Sequence, residues 1–226
     1  HTRFRNVTGV QTCALPISVG LIVDKNLESY LKVYHNFVDD DLCDRTVKEM
    51  DQISWQQHTF YDSIKNDFKA QSGDRELDIS FGNVSTIDTL MQKVWYGLER
   101  YMKELQFSWF GSWAGYSRIR FNKYSEDRIM AEHCDHIQSM FDGNIKGIPS
   151  LSFVGQLNDD FVGGEFVMWQ DTVIPMRKGT VIIFPSIFLY PHRVDAVKKG
   201  TRYSFVSWAR SEEHTSELQS RFGISY

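Results

Sequence analysis

Five short runs rich in β-branched and aromatic residues occupy the second half of the chain: Tyr116–Phe121, Ser150–Val154, Gly164–Met168, Thr180–Phe184 and Arg202–Trp208. Between them lie Asn158-Asp159-Asp160, Gly163-Gly164, Lys178-Gly179 and Lys199-Gly200, which break strands and make turns. Many short strands at such spacing bury their apolar faces only as a sandwich or barrel. The preceding part reads differently. Leu31–Val38 alternates like a strand, and the aspartates at 39–41 can cap a helix carrying Cys43, Val47 and Met50 on one face. Ser85-Thr86-Ile87-Asp88 has the form of a capping box with Asp in place of Glu. After it, Ile87, Leu90, Val94, Leu98, Tyr101 and Leu105 recur at helical spacing. The pattern predicts an α+β domain whose β part is a jelly roll, supported by N-terminal helices.

The two ends are set apart from this reading. His1–Ile17 and Arg210–Tyr226 resemble translations of opposite strands of one sequencing-adapter oligonucleotide. Residues 1–18 and 210–226 are therefore excluded from fold reasoning, as a tag would be, and residues 19–209 are taken as one domain, with its jelly-roll core at about 115–209. The exclusion removes a signal-peptide-like apolar run, the Asn6 sequon, Cys13, His1 and His214. The formal net charge, −4 for the whole sequence and −5 once Arg3, Arg5, Arg210, Arg221, Glu212, Glu213 and Glu217 are set aside with the ends, argues against sequence-independent binding of nucleic acid. Cys43 and Cys134 are too few for a disulfide framework, so a reducing, cytoplasmic setting is the default, in a bacterium or a virus-infected host. No apolar run approaches the ~20 residues of a membrane helix.

"MAEHCDHIQS", residues 130–139, concentrates the chemistry. On a strand, residues i and i+2 share a side, so His133 and Asp135 can converge on one ion while Cys134 points away. His136 is read as a surface or supporting group. A third ligand must come from a distant strand, and His192 in "LYPHRVDAV" is the candidate. Two imidazoles and one carboxylate with open positions is the arrangement of non-haem Fe(II) oxygenases. Ten residues on, Arg202 lies on a strand whose apolar neighbours hold it inward. A buried guanidinium needs an anion, which a dicarboxylate would supply.

At this point the sequence resembles the Fe(II)/2-oxoglutarate-dependent dioxygenases, and within them the prolyl 4-hydroxylase-like branch. The resemblance runs from about Leu31 to Trp208 and implies a double-stranded β-helix, the jelly roll expected above. It implies Fe(II) held by His133, Asp135 and His192, with 2-oxoglutarate bound by Arg202, a hydroxyl from Ser204, and Tyr124 in "FNKYSEDRIMAEHCD". Gln156 stands where relatives often carry a second tyrosine facing the cosubstrate, and Arg128 replaces a usual glycine. Dioxygen is the co-reactant and ascorbate the customary reductant. The implied reaction hydroxylates an unactivated C–H bond, with a prolyl residue of a protein or peptide as leading substrate, and releases succinate and CO2.

Two other readings stand beside it. A zinc hydrolase could use the same three ligands with Glu132 as base, but Glu132 would face away from the ion. A non-catalytic jelly-roll module could bind metal or ligand without turnover. The loops around Tyr61–Ser80 and Gln138–Pro149 are read as lids over the barrel mouth, and the substrate, protein, peptide or small molecule, is not encoded in them.

Overall fold

The computed structural model describes residues 25–62, 67–69, 72–106, 115–135 and 149–210. Most of both excluded ends, His136 and the loop at 138–148 therefore lie outside the described residues. In chain order the strands are β1 (Lys32–Tyr34), β2 (Gln56–Gln57), β3 (Phe60–Asp62), β4 (Asp67–Lys69), β5 (Asp78–Ser80), β6 (Gly115–Tyr116), β7 (Arg120–Tyr124) and β8 (Met130–His133). They continue as β9 (Pro149–Gln156), β10 (Val162–Gly163), β11 (Phe166–Met168), β12 (Thr172–Ile174), β13 (Val181–Pro185), β14 (His192–Val194), β15 (Val197–Lys199) and β16 (Arg202–Arg210). Helices α1 (Asp40–Met50) and α2 (Ile87–Leu105) precede β6.

Two antiparallel sheets make the jelly roll. The larger has the order β1-β13-β9-β16-β7-β5-β2, with β6 also on β16, and the smaller the order β12-β11-β14-β8. Alternation along the central strands sorts side chains to two cores. Phe121, Leu151, Phe153, Tyr203 and Phe205 face outward and pack with Leu90, Val94, Leu98 and Tyr101 of α2 and with Leu42, Cys43 and Met50 of α1. Their neighbours Val154, Ile182, Phe184 and Val206 face the smaller sheet, against Met130, Phe166, Met168 and Val194. The expected fold class is observed, with both helices backing the larger sheet.

Local details depart from expectation for identifiable reasons. The strand expected over Leu31–Val38 is only β1, because Asn36 turns the chain at φ 52° and the N–H groups of Phe37 and Val38 bond to Gly179 O. No capping box forms at Ser85. The N-cap is Thr86, whose hydroxyl is shared with Thr46 (2.7 Å), while Ser85 Oγ donates to the Glu49 carboxylate. Tertiary partners thus replace the local cap. Asp39 does cap α1 by position, but its carboxylate pairs with Lys93 (3.3 Å). The last strand runs through Arg210, one residue into the excluded end.

Candidate metal centre

Antiparallel pairing of β8 with β14 sets His133 directly opposite His192, and their ring centroids lie 4.3 Å apart. Asp135 follows β8 and turns its carboxylate to the same side, with Oδ1 3.3 Å from His133 Nε2 and 3.8 Å from His192 Nε2. The three donor atoms all lie within 4.8 Å of one another. Each imidazole is oriented from behind: His133 Nδ1 lies 2.8 Å from Ala131 O, and His192 Nδ1 3.1 Å from Tyr190 O. A carbonyl only accepts, so Nδ1 carries the hydrogen and the Nε2 lone pair faces the cluster. Ser152 donates to Asp135 Oδ2 (2.6 Å) and contacts Ser186 Oγ (2.8 Å), which leaves Oδ1 for the centre.

Electrostatics prepare the same donor set. Burial, reinforced by the nearby His133 and resisted by Asp135, pushes the His192 imidazole down to about 4. Burial works to raise the Asp135 carboxyl, but its neighbours His192, His133 and Ser152 outweigh it, holding the acid well below the carboxylate range. Near neutral pH His192 is therefore a free base and Asp135 ionised, as metal ligation requires. Two nitrogen donors and one carboxylate oxygen on one side of a point suit a divalent transition metal with open positions.

Arg202 faces the same cavity from β16. Its side chain is 1 % exposed, and its Nε and Nη2 have no hydrogen-bond partner among the described residues. Nη1 donates to Ser204 Oγ at 3.4 Å, and the guanidinium also meets the Tyr124 hydroxyl and lies over its ring, 4.9 Å from the centroid. Close approach is allowed by Gly164 at φ 67°, where a Cβ would come 3.1 Å from Arg202 Cδ. Tyr124, Arg202 and Ser204 are thus brought together with the triad on one cavity wall. Gln156 is not on that wall. It pairs opposite Ser204, but its amide donates to the carbonyls of Asn158 (2.9 Å) and Tyr203 (3.1 Å). The turn where Arg128 replaces glycine is made by Asp127 at φ 63°, with Arg128 N–H bonded to Ser125 O.

The two neighbours of the motif point elsewhere, as alternation requires. Cys134 Sγ donates to Phe188 O, and Glu132 is exposed, 3.9 Å from Arg193. Four further groups escaped the sequence reading: Arg120 and Asn122 on the cavity wall, Ser152 behind Asp135, and buried His58, whose ring meets Phe60 edge-on. Trp208 also lines the cavity. Counting by twos from Tyr124 finds Asn122 and Arg120, and counting on from Arg202 finds Trp208.

His58 carries a pH prediction. Burial, then the charges of Arg120 and His133, pushes its imidazole down to about 3, and its Nδ1 has no partner among the described residues. Between the unfolded value of ~6.5 and that folded value the unfolded chain binds the extra proton, so stability rises with pH across this window. At pH 5 the residue should cost about 2 kcal/mol relative to pH 7.5. In EDTA, the drop in melting temperature from pH 7.5 to pH 5 should be smaller for His58→Phe than for the native chain. Equal drops would mean that His58 takes up its proton in the folded state.

Comparison with known proteins agrees with this geometry. Residues 119–210 match the model of the 2OG-Fe(II) oxygenase superfamily. A PKHD-type hydroxylase of Crocosphaera subtropica is 30% identical over 98 residues, which cover 41% of this chain and 42% of that protein. The chain thus spans about two fifths of the length of the curated relatives it matches. The viral collagen prolyl hydroxylase of Paramecium Bursaria Chlorella virus-1, in its 2OG complex, superposes with a TM-score of 0.58 at 16% identity, over 81% of this chain and 97% of that one. A prolyl hydroxylase from Trichoplax adhaerens, in complex with a hypoxia inducible factor peptide fragment, gives 0.59 at 13% identity, over 87% and 88% of the two chains. At these identities the structural likeness speaks for the fold. Among the described residues no helix is long and apolar enough to cross a membrane.

Proposed function

We propose that this chain, whose residues 119–210 carry the 2OG-Fe(II) oxygenase domain, hydroxylates an unactivated C–H bond of its substrate. The observation that carries the reading is the pairing, in one cavity, of a two-histidine, one-carboxylate cluster with a buried guanidinium that lacks an anion. A metal alone would leave Arg202 without purpose, whereas 2-oxoglutarate satisfies both halves of the site.

His133, Asp135 and His192 would hold Fe(II), and Arg202 with Ser204 and Tyr124 would hold the far carboxylate of 2-oxoglutarate. Gln156 supports that group by bracing the β9–β16 pair beside Ser204. When bound, iron and 2-oxoglutarate together with dioxygen supply the oxidation, releasing succinate and CO2 and delivering one oxygen atom to the substrate carbon. The chain's own part is placement and exclusion of water. Ser152 keeps one Asp135 oxygen turned from the centre, and the ring of Phe166, stacked on His192 at 5.3 Å, closes off the side of that imidazole.

The PKHD-type relative and the prolyl hydroxylase neighbours support a hydroxylase, with a prolyl residue of a protein or peptide as the leading substrate. Glu132 faces solvent, which removes the base that a zinc hydrolase would need.

The test is succinate formation by the chain stripped with EDTA, then loaded anaerobically with Fe(II) and given 2-oxoglutarate, ascorbate and oxygen. Slow succinate release is expected with Fe(II) and none with EDTA or Zn(II). Binding of metal without any binding of 2-oxoglutarate would overturn the oxygenase reading in favour of a metal-binding module.

A further inference from the structure

Arg120 stands in the inward row Arg120, Asn122, Tyr124 of β7, opposite Val206 on β16. Its side chain enters the cavity that holds the triad, although the oxygenase reading gives it no task. Its guanidinium lies over the Trp208 ring, 5.1 Å from the centroid, and Nε donates to Asn122 Oδ1 (3.1 Å). Among the described residues no carboxylate forms an ion pair with it. Asp135 is the acid whose charge reaches it, and that carboxylate is already turned to the two histidines.

Position separates this cation from Arg202. Arg202 pairs across from Tyr124 and Arg120 across from Val206, four residues further along β16. The two backbone positions are thus about 13 Å apart along the strand, a span longer than a five-carbon diacid. Exposure orders them too: Arg202 is 1 % exposed, whereas Arg120 and Trp208 are part-exposed.

Charge balance then names the missing partner. Among the groups that line the cavity, a dication with Arg120 and Arg202, set against Asp135 and a dianionic keto acid, leaves one positive charge uncompensated where burial already weighs against the Arg120 charge. An uncompensated charge in such a place is costly, and an incoming anion removes the cost. We propose that Arg120, with Asn122 and the Trp208 ring, recognises a carboxylate on the substrate that is oxidised. The substrate class is thereby a carboxylate-bearing molecule, with the acid group at a free terminus or on an acidic side chain near the reacting carbon. The inference rests on the oxygenase reading, since it is the cosubstrate that leaves Arg120 unmatched.

Acetate is the probe. The full chain is loaded with Mn(II), saturated with 2-oxoglutarate, and titrated with acetate while the Mn(II)-induced relaxation of the acetate methyl protons is followed. Saturable relaxation is expected in the native chain, weaker by on the order of tenfold in Arg120→Gln and intermediate in Arg120→Lys, which keeps the charge but not the planar stack on Trp208. The affinity for 2-oxoglutarate, measured separately by calorimetry, should stay within about twofold in both variants, which also reports that they are folded. Equal relaxation in Arg120→Gln and the native chain overturns the proposal. So does loss of 2-oxoglutarate affinity in Arg120→Gln, which would assign the residue to the cosubstrate. Failure of the native chain to bind 2-oxoglutarate at all instead brings down the oxygenase reading, and this inference with it. A coupling arm separates the two sources of the acid by comparing succinate release with N-acetyl-proline, with a blocked peptide placing aspartate beside proline, and with N-acetyl-prolinamide. Stimulation by the first assigns a terminus and by the second a side chain, whereas equal stimulation by the amide sinks the idea.

Discussion

Arg202→Met is expected to melt higher than the native chain when no ligand is present, and to bind 2-oxoglutarate on the order of a hundredfold more weakly. Both effects come from one fact. The guanidinium is buried with two nitrogens unpartnered, so the empty protein carries the cost of a desolvated charge. Methionine fills a similar length without that charge, and a gain of about 1–3 kcal/mol is expected, which for a domain of this size is a rise of about 3–8 °C. The same replacement removes two charge-assisted hydrogen bonds from the keto acid, each worth about 1.5–3 kcal/mol. His192→Ala should behave in the opposite way. It deletes a ring packed against Phe166 and Phe184 (5.3 and 5.1 Å), so the empty protein is destabilised by about 2 kcal/mol and Fe(II) is no longer held. Scanning calorimetry of the stripped proteins, with and without Mn(II) and 2-oxoglutarate, reads both. An Arg202→Met protein that melts lower than native would show that Arg202 already has its anion within the chain.

How much of this was legible beforehand follows from where the information sits. The i, i+2 spacing of His133 and Asp135 and the inward side of Arg202 are local periodicities, and the chain displays them directly. The apolar stripe of α2 is legible for the same reason, and Leu90, Val94, Leu98 and Tyr101 are all buried as it predicts. Register between distant strands is not local. That His192 lands opposite His133 depends on β11 pairing with β14 on one side and β12 on the other. The β11–β12 hairpin turns through the three residues Trp169–Asp171, with Trp169 and Gln170 at φ 51° and 75°, and without the glycine that normally announces a left-handed position. The capping box at Ser85 misled because Glu49 and Thr46, each more than 30 positions away, compete for the two hydroxyls. Arg120 was hidden differently. Its strand was recognised, but a cation only becomes conspicuous once the carboxylate lining the cavity is seen to be turned to the two histidines.

Gly155→Ala should be strongly destabilising, and its damage should reach the cosubstrate. Gly155 lies in the middle of β9, paired with Val181 on one side and Phe205 on the other. A Cβ there would fall 2.3 Å from both Cε1 and Cζ of Phe205, a distance no contact tolerates. The ring cannot retreat freely, since it packs against Phe153 at 5.8 Å in the core beneath α2. Overpacking of this kind costs about 3 kcal/mol, or more where both neighbours are fixed. Relief requires β9 and β16 to separate, and β16 carries Arg202 and Ser204 on its other face, with Ser204 opposite Gln156 one residue beyond Gly155. Affinity for 2-oxoglutarate should therefore fall along with stability, although the substituted residue faces away from the cavity. Phe205→Ala alone leaves a void and also destabilises, by about 3–5 kcal/mol. In the double variant the new methyl enters that void, so its total cost should fall short of the sum of the two singles by about 2 kcal/mol, with 2-oxoglutarate affinity partly recovered. Denaturant unfolding of the four proteins measures the coupling. Strict additivity would mean that the sheet absorbs the extra carbon elsewhere, and that the β9–β16 spacing is not what holds the anion end of the site in place.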